Sequence, residues 1–212
     1  MSLQSSELAD LRETLERLGD YFVFADAKYK LLMETRKYLQ NDPDLYAVAP
    51  GFFTLIHESL TIDLMISVAR LYEENRSDRN LQKFLNAVEM NMKSVNALDS
   101  RINVSVVARH RAEIGKQQQV LVNLKTHRDK LLVHHDKEYF LEPRKAQSDA
   151  PITFEELSNL LKTAEEILRT YYPALTGAMW ARGLLEALDV RRLFHVLRVA
   201  EQRTMHPKQG VR

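Results

Sequence analysis

The chain has 212 residues, a formal net charge of +1, 45% hydrophobic residues and 28% charged residues. That balance suits a globular protein with a sizeable core and excludes a polycation that coats nucleic acid by bulk charge. There is no cysteine, which excludes disulfides, thiol nucleophiles and cysteine-ligated zinc or iron–sulfur centres.

The N-terminal run Met1-Ser2-Leu3-Gln4-Ser5-Ser6-Glu7 lacks the basic and apolar regions of a secretory signal. No apolar run approaches the ~20 residues that span a bilayer, so a cytoplasmic chain with no membrane segment is expected. Leu8, Leu11, Leu15, Leu18, Phe22 and Ala25 recur at spacings of three and four and predict a first helix over 7–40. Asn41-Asp42-Pro43 ends it, because proline disfavours helix in the residue before it. Residues 44–51 read as a connector. A second helix, about 52–75, has an apolar side from Ile56, Leu60, Leu64 and Leu71. Asp78 is a candidate cap for a third helix over 80–97, which carries Leu81, Phe84, Leu85, Val88 and Met92. A long fourth helix is predicted over 103–135, followed by a polar loop to Pro151.

Thr153-Phe154-Glu155-Glu156 is a capping box, and Ile152 and Leu157 stand where a hydrophobic staple joins them. That helix is expected to run to about Tyr172 and break at Pro173, with a last helix through about Arg203. No stretch alternates strictly between turn dipeptides, so no sheet is predicted. The fold class is all-α, a bundle of five to six helices. It reads as one helical domain over 1–212, with a bundle core over 1–140 and a C-terminal helical hairpin or extension over 151–205.

The segment 101–130 carries Arg101, Arg109, Arg111, Lys116, Lys125, Arg128 and Lys130 against Glu113 and Asp129, a local basic surface or a solvated helix face. Within it, residues seven apart fall nearly on one line of a helix. Ile114, Leu121, Arg128 and His135 form such a line, and Val120, Leu124, His127, Leu131 and His134 an adjoining one. The apolar stripe thus turns cationic within its own phase. A guanidinium on such a stripe needs a carboxylate, an anion or a wet cleft; Asp63, Glu58 and Asp129 are the candidate carboxylates for a structural salt bridge. Histidines near a helix C-terminus also serve as ordinary caps. His127 and His134 lack the four-residue spacing of a helical zinc pair, and neither a nucleophile-elbow turn nor a glycine-rich phosphate loop occurs. No cofactor and no metal are expected. Met179 and Trp180 read as core.

Arg128-Asp129-Lys130-Leu131-Leu132-Val133-His134 resembles the signature of the HEPN superfamily: an arginine, a polar residue directly after it, and a histidine four to six residues on. The wording is similar to the AbiU2-like branch, as is Ser67-Val68-Ala69-Arg70-Leu71-Tyr72-Glu73 at the end of an amphipathic helix. The resemblance covers about residues 15–140. It implies a HEPN-like helical bundle that dimerises through the motif-bearing helix. It also implies a metal-independent endoribonuclease, or a toxin or phage-defence protein of the abortive-infection kind. RNA, a second copy of the chain and an antitoxin are the implied partners.

The residue types suit that chemistry. RNA carries its own nucleophile, the 2′-hydroxyl, so the protein needs a proton carrier and a cation for the phosphorane. Histidine titrates near neutrality, and arginine's planar fork matches phosphate oxygens. Arg128 is thus the expected phosphate ligand and Asp129 the group that orients Arg128 or a histidine. The family spacing points to His134 as the proton carrier, and the heptad line to His135. The alternative is a non-catalytic helical interaction or RNA-binding module with a structural Arg/His pair.

Overall fold

A computed structural model of the chain describes residues 3–72, 79–129, 148–180 and 187–205. Among the described residues there is no strand, and nine helices follow one another. They are α1 (Leu3–Asn41), α2 (Pro43–Val48), α3 (Pro50–Tyr72), α4 (Leu81–Met90), α5 (Met92–Leu98), α6 (Val104–Lys116), α7 (Gln118–His127), α8 (Phe154–Thr176) and α9 (Ala187–Met205). The all-α class is as the periodicity predicts. The count exceeds the expected five to six because the expected connector is itself helical and two expected helices are each divided.

The connector expected over 44–51 is α2. Pro43 occupies its first turn, where a missing N–H goes unneeded. The Phe53 amide then donates to the Ala49 carbonyl at 3.1 Å, so α3 starts at Pro50 rather than near Phe52. The cap of α4 is Asn80, whose side chain accepts from the Lys83 amide at 2.8 Å. Asp78, the expected cap, lies outside the described residues. The helix expected over 80–97 divides at Asn91, whose carboxamide donates to the Ala87 carbonyl at 3.0 Å. The bond sets a polar side chain in competition with the helix ladder. The helix expected over 103–135 divides at Gln117, whose side chain donates to Thr163 Oγ1 on α8 at 2.7 Å. Its amide makes a tighter bond to the Ile114 carbonyl, three residues back, at 3.0 Å.

Thr153 caps α8 with both halves of the capping box formed, and Ile152 and Leu157 are buried. The expected break at Pro173 does not occur: α8 runs through it to Thr176. Interior proline costs about 3 kcal/mol, while burying Tyr171 and Leu175 contributes about 1.5–3 kcal/mol each. The Arg12 Nε–H satisfies the Leu175 carbonyl at 2.7 Å. The helix ends at Gly177, which adopts φ 72° and donates to the Pro173 carbonyl at 2.9 Å.

These helices form two compact units. The first comprises the described residues of Met1–Asp26 and Leu64–Arg182. Its core takes Leu15, Leu18 and Phe22 from α1, Leu64, Val68 and Leu71 from α3, Phe84 and Val88 from α4, and Leu160, Ala164, Ile167 and Tyr171 from α8. Phe84 meets Tyr171 edge-on at 5.3 Å between centroids. The second unit comprises the described residues of Ala27–Asp63 and Gly183–Arg212. Its core is Leu45, Phe53, Val190 and Phe194, with Tyr38 and Phe53 stacked on Phe194 at 4.7 and 5.8 Å. Arg191 pairs with Glu34 at 3.0 Å, Arg198 with Asp42 at 2.7 Å and Lys28 with Asp63 at 2.7 Å. Among the described residues α3 alone is long and apolar enough to cross a membrane, judged by length and composition. His57, Glu58 and Asp63 interrupt its apolar run and hide this in the sequence.

Candidate functional site

Helix α7 leads into the first of the two motifs singled out above, which begins at Arg128. Leu124 and His127, three apart, form its buried side. Two side chains tie it to the segment entering α8. The Asn123 carboxamide donates to the Pro151 carbonyl at 2.8 Å, and His127 Nε2 lies 2.6 Å from the Ala150 carbonyl. A carbonyl can only accept, so the His127 proton sits on Nε2 and that nitrogen is committed to the backbone. His127 is therefore a structural clamp that fixes the face from which Arg128 emerges.

Arg128 follows directly. Its backbone stays helical (φ −59°, ψ −54°), and residues 128–129 continue in a wider π-type turn. Its side chain is only 19% exposed, as its place on the apolar line predicts. One carboxylate that holds it is that of Asp129: Nε and one terminal nitrogen donate to the same Oδ1 at 2.8 and 2.6 Å. The adjacent residue thus orients the plane of the guanidinium. Asp129 is itself about one-third exposed, so water weakens the pair, and an ion pair in such a setting contributes at most about 1 kcal/mol. An incoming phosphate can compete for the fork. His134 and His135 lie outside the described residues.

The second motif ends α3. Ser67, Val68, Ala69, Leu71 and Tyr72 are buried and Arg70 is exposed. The Tyr72 hydroxyl donates to the Leu160 carbonyl of α8; burial pushes its pKa above the ordinary tyrosine range. The fold brings the second motif together with the helix that precedes the first. Ala69 and Tyr72 from α3, Gln82 from α4, and Gln118, Leu121, Val122, Leu124 and Lys125 from α7 line one cavity of about 260 Å³. Lys125 is the lining residue three positions before Arg128.

A second polar cluster escaped the sequence reading. His110 of α6 is buried, with Nδ1 3.2 Å from the Tyr171 hydroxyl and Nε2 3.5 Å from an Arg109 guanidinium nitrogen. Burial, and after it the charge of Arg109, push the His110 pKa below its ordinary 6.5; Glu166 and Glu113 act weakly the other way. A neutral ring accepting from Arg109 at Nε2 carries its proton on Nδ1 and gives it to Tyr171. Glu166, 3.9 Å away, is too far for a hydrogen bond. Val107, His110 and Ile114 stand three and four apart and all are buried, so the signal was a histidine on an apolar stripe. Gln82 and Gln118 carry no signal until α4 and α7 are brought together. Trp180 packs edge-on against Phe22 and Tyr172, whereas Met179, expected in the core beside it, is exposed because the chain has left α8 at Gly177.

The family model described as AbiU2, of the HEPN group, matches residues 8–193. No curated protein and no solved structure matches the chain.

Proposed function

The chain belongs to the AbiU2 family of HEPN proteins, an abortive-infection type, and on that premise we propose that it is a metal-independent endoribonuclease acting in defence or as a toxin. Arg128 holds the scissile phosphate, Asp129 orients it, and His134 or His135 moves the proton. The 2′-hydroxyl attacks the adjacent phosphorus as an imidazole takes its proton, and the 5′-oxygen leaves with a proton returned to it. The products are a 2′,3′-cyclic phosphate and a 5′-hydroxyl. The guanidinium opposes the negative charge that grows on the non-bridging oxygens.

The observation that carries the proposal is the mostly enclosed Arg128, oriented by a partly hydrated carboxylate at the end of a helix whose preceding turns line a cavity with the second motif. The protein acts in the cytoplasm as a homodimer joined through the motif-bearing helix, with an antitoxin as candidate partner. The Arg128–Asp129 pair also favours a second reading, a non-catalytic helical interaction or RNA-binding module, because such a pair satisfies the arginine without substrate.

The test is cleavage of single-stranded RNA by purified protein in chelator. Wild type should leave cyclic phosphate ends. Arg128→Ala should lower the rate by about 10²–10³, as loss of one transition-state donor does, and Arg128→Lys should fall between. Of His134→Ala and His135→Ala, the more damaging identifies the proton carrier. Wild-type protein that binds RNA without cutting it, or Arg128→Ala cutting at the wild-type rate, would overturn the enzyme reading in favour of the module.

A further inference from the structure

We propose that the cavity between α3, α4 and α7 is a nucleobase subsite, which seats a base of single-stranded RNA next to the phosphate held at Arg128. The proposal rests on the ribonuclease reading for its RNA and adds to it a recognition element that discriminates among bases.

The size comes first. About 260 Å³ lies below the roughly 300–1,000 Å³ of sites for drug-sized ligands, and fits one planar ring system better than a large cofactor. The chemistry of the lining comes next. Leu121, Leu124 and Tyr72 give an apolar floor, onto which a base face can lie without losing hydrogen bonds. Gln82 and Gln118 each bring a carboxamide with one acceptor and two donors, the group that reads a base edge in pairs of hydrogen bonds. Neither carboxamide, nor the Lys125 ammonium, has a side-chain partner among the described residues. Their hydrogen-bonding capacity is available to a ligand.

Charge selects the occupant. Among the described residues the lining holds one cation, Lys125, and no carboxylate. Arg128 follows three residues on along the same helix, about 4.5 Å further along its axis. A lysine in the lining and an arginine three residues further along the chain, with an apolar floor and amide walls between them and α4, match a sugar–phosphate backbone with one base turned inward. An acidic peptide would use the cations and leave the carboxamides unpaired. An apolar ligand would leave all three polar groups desolvated.

The test separates this subsite from the nuclease activity. Binding is measured by fluorescence polarisation with short labelled 2′-O-methyl oligonucleotides of each single base, which lack the free nucleophile and cannot be cut. Wild type should favour one base by about tenfold, the effect of one well-made bidentate contact. Gln82→Ala and Gln118→Ala should each flatten that preference. Leu121→Trp, which fills the cavity, should weaken the favoured oligonucleotide by about tenfold or more. Arg128→Ala should weaken all four alike, because phosphate contacts carry no sequence information. Base-dependent binding that vanishes in the glutamine variants supports the subsite even if no RNA is cut. Equal binding of all four bases by wild type, or a preference unchanged in both glutamine variants and in Leu121→Trp, overturns it even if RNA is cut.

Discussion

Replacing Gly19 by alanine pits helix propensity against packing, and the structure decides the sign. Gly19 lies inside α1, where alanine is ordinarily better by about 0.5–1 kcal/mol. A Cβ at Gly19 would stand 2.8 Å from Cζ3 and 3.0 Å from Cη2 of Trp180, closer than carbon atoms pack. The indole has little room to yield, since Tyr172 lies 5.0 Å and Phe22 6.1 Å from it between centroids. Overpacking of this kind costs about 1–3 kcal/mol, which exceeds the propensity gain. Gly19→Ala should therefore destabilise the protein by about 1 kcal/mol and lower Tm by about 2–4 °C. Trp180 is the only tryptophan, so its fluorescence reports both the displaced ring and the urea midpoint. In a Trp180→Phe background the offending atoms are gone. There Gly19→Ala, followed by circular dichroism, should stabilise by about 0.5–1 kcal/mol. A rise in stability in the wild-type background, or a coupling between the two sites below about 0.5 kcal/mol, would refute the reasoning.

Tyr72→Phe removes the hydroxyl that donates to the Leu160 carbonyl and should cost about 1 kcal/mol in a urea titration; an unchanged midpoint would mean that this bond contributes nothing. The depressed pKa of His110 makes stability depend on pH. Its contribution is fully present above the unfolded-state value of about 6.5. It declines as pH falls toward the folded pKa, because the unfolded chain takes up a proton that the folded one refuses. Wild type should therefore lose up to about 1.4 kcal/mol per pH unit more than His110→Gln over that window. Urea midpoints at about pH 7.5 and about pH 5.5 would test this, and parallel pH profiles for the two proteins would rule it out.

The helix expected over 103–135 shows what local sequence can and cannot reveal. The heptad line through Ile114, Leu121 and Arg128 foretold a mostly enclosed guanidinium, and the side chain is enclosed. The break at Gln117 was not legible, because its cause is the Thr163 hydroxyl 46 residues away on another helix. The role of His127 was not legible either, because its partner is the Ala150 carbonyl, 23 residues on. His110 stood on an apolar stripe, but Tyr171 and Arg109 had to be placed beside it before its neutral form followed.

By itself the sequence determined the all-α class and where most helical segments lie, since apolar residues three and four apart and the Thr153–Glu156 capping box act within a turn or two. It also held both motifs of the AbiU2 family. Only the tertiary structure decided that α3, α4 and α7 line one cavity, that Pro173 stays within α8, and that Gly19 makes room for an indole. Each of these depends on side chains distant in the chain, whose burial outweighs local preference only once they have met.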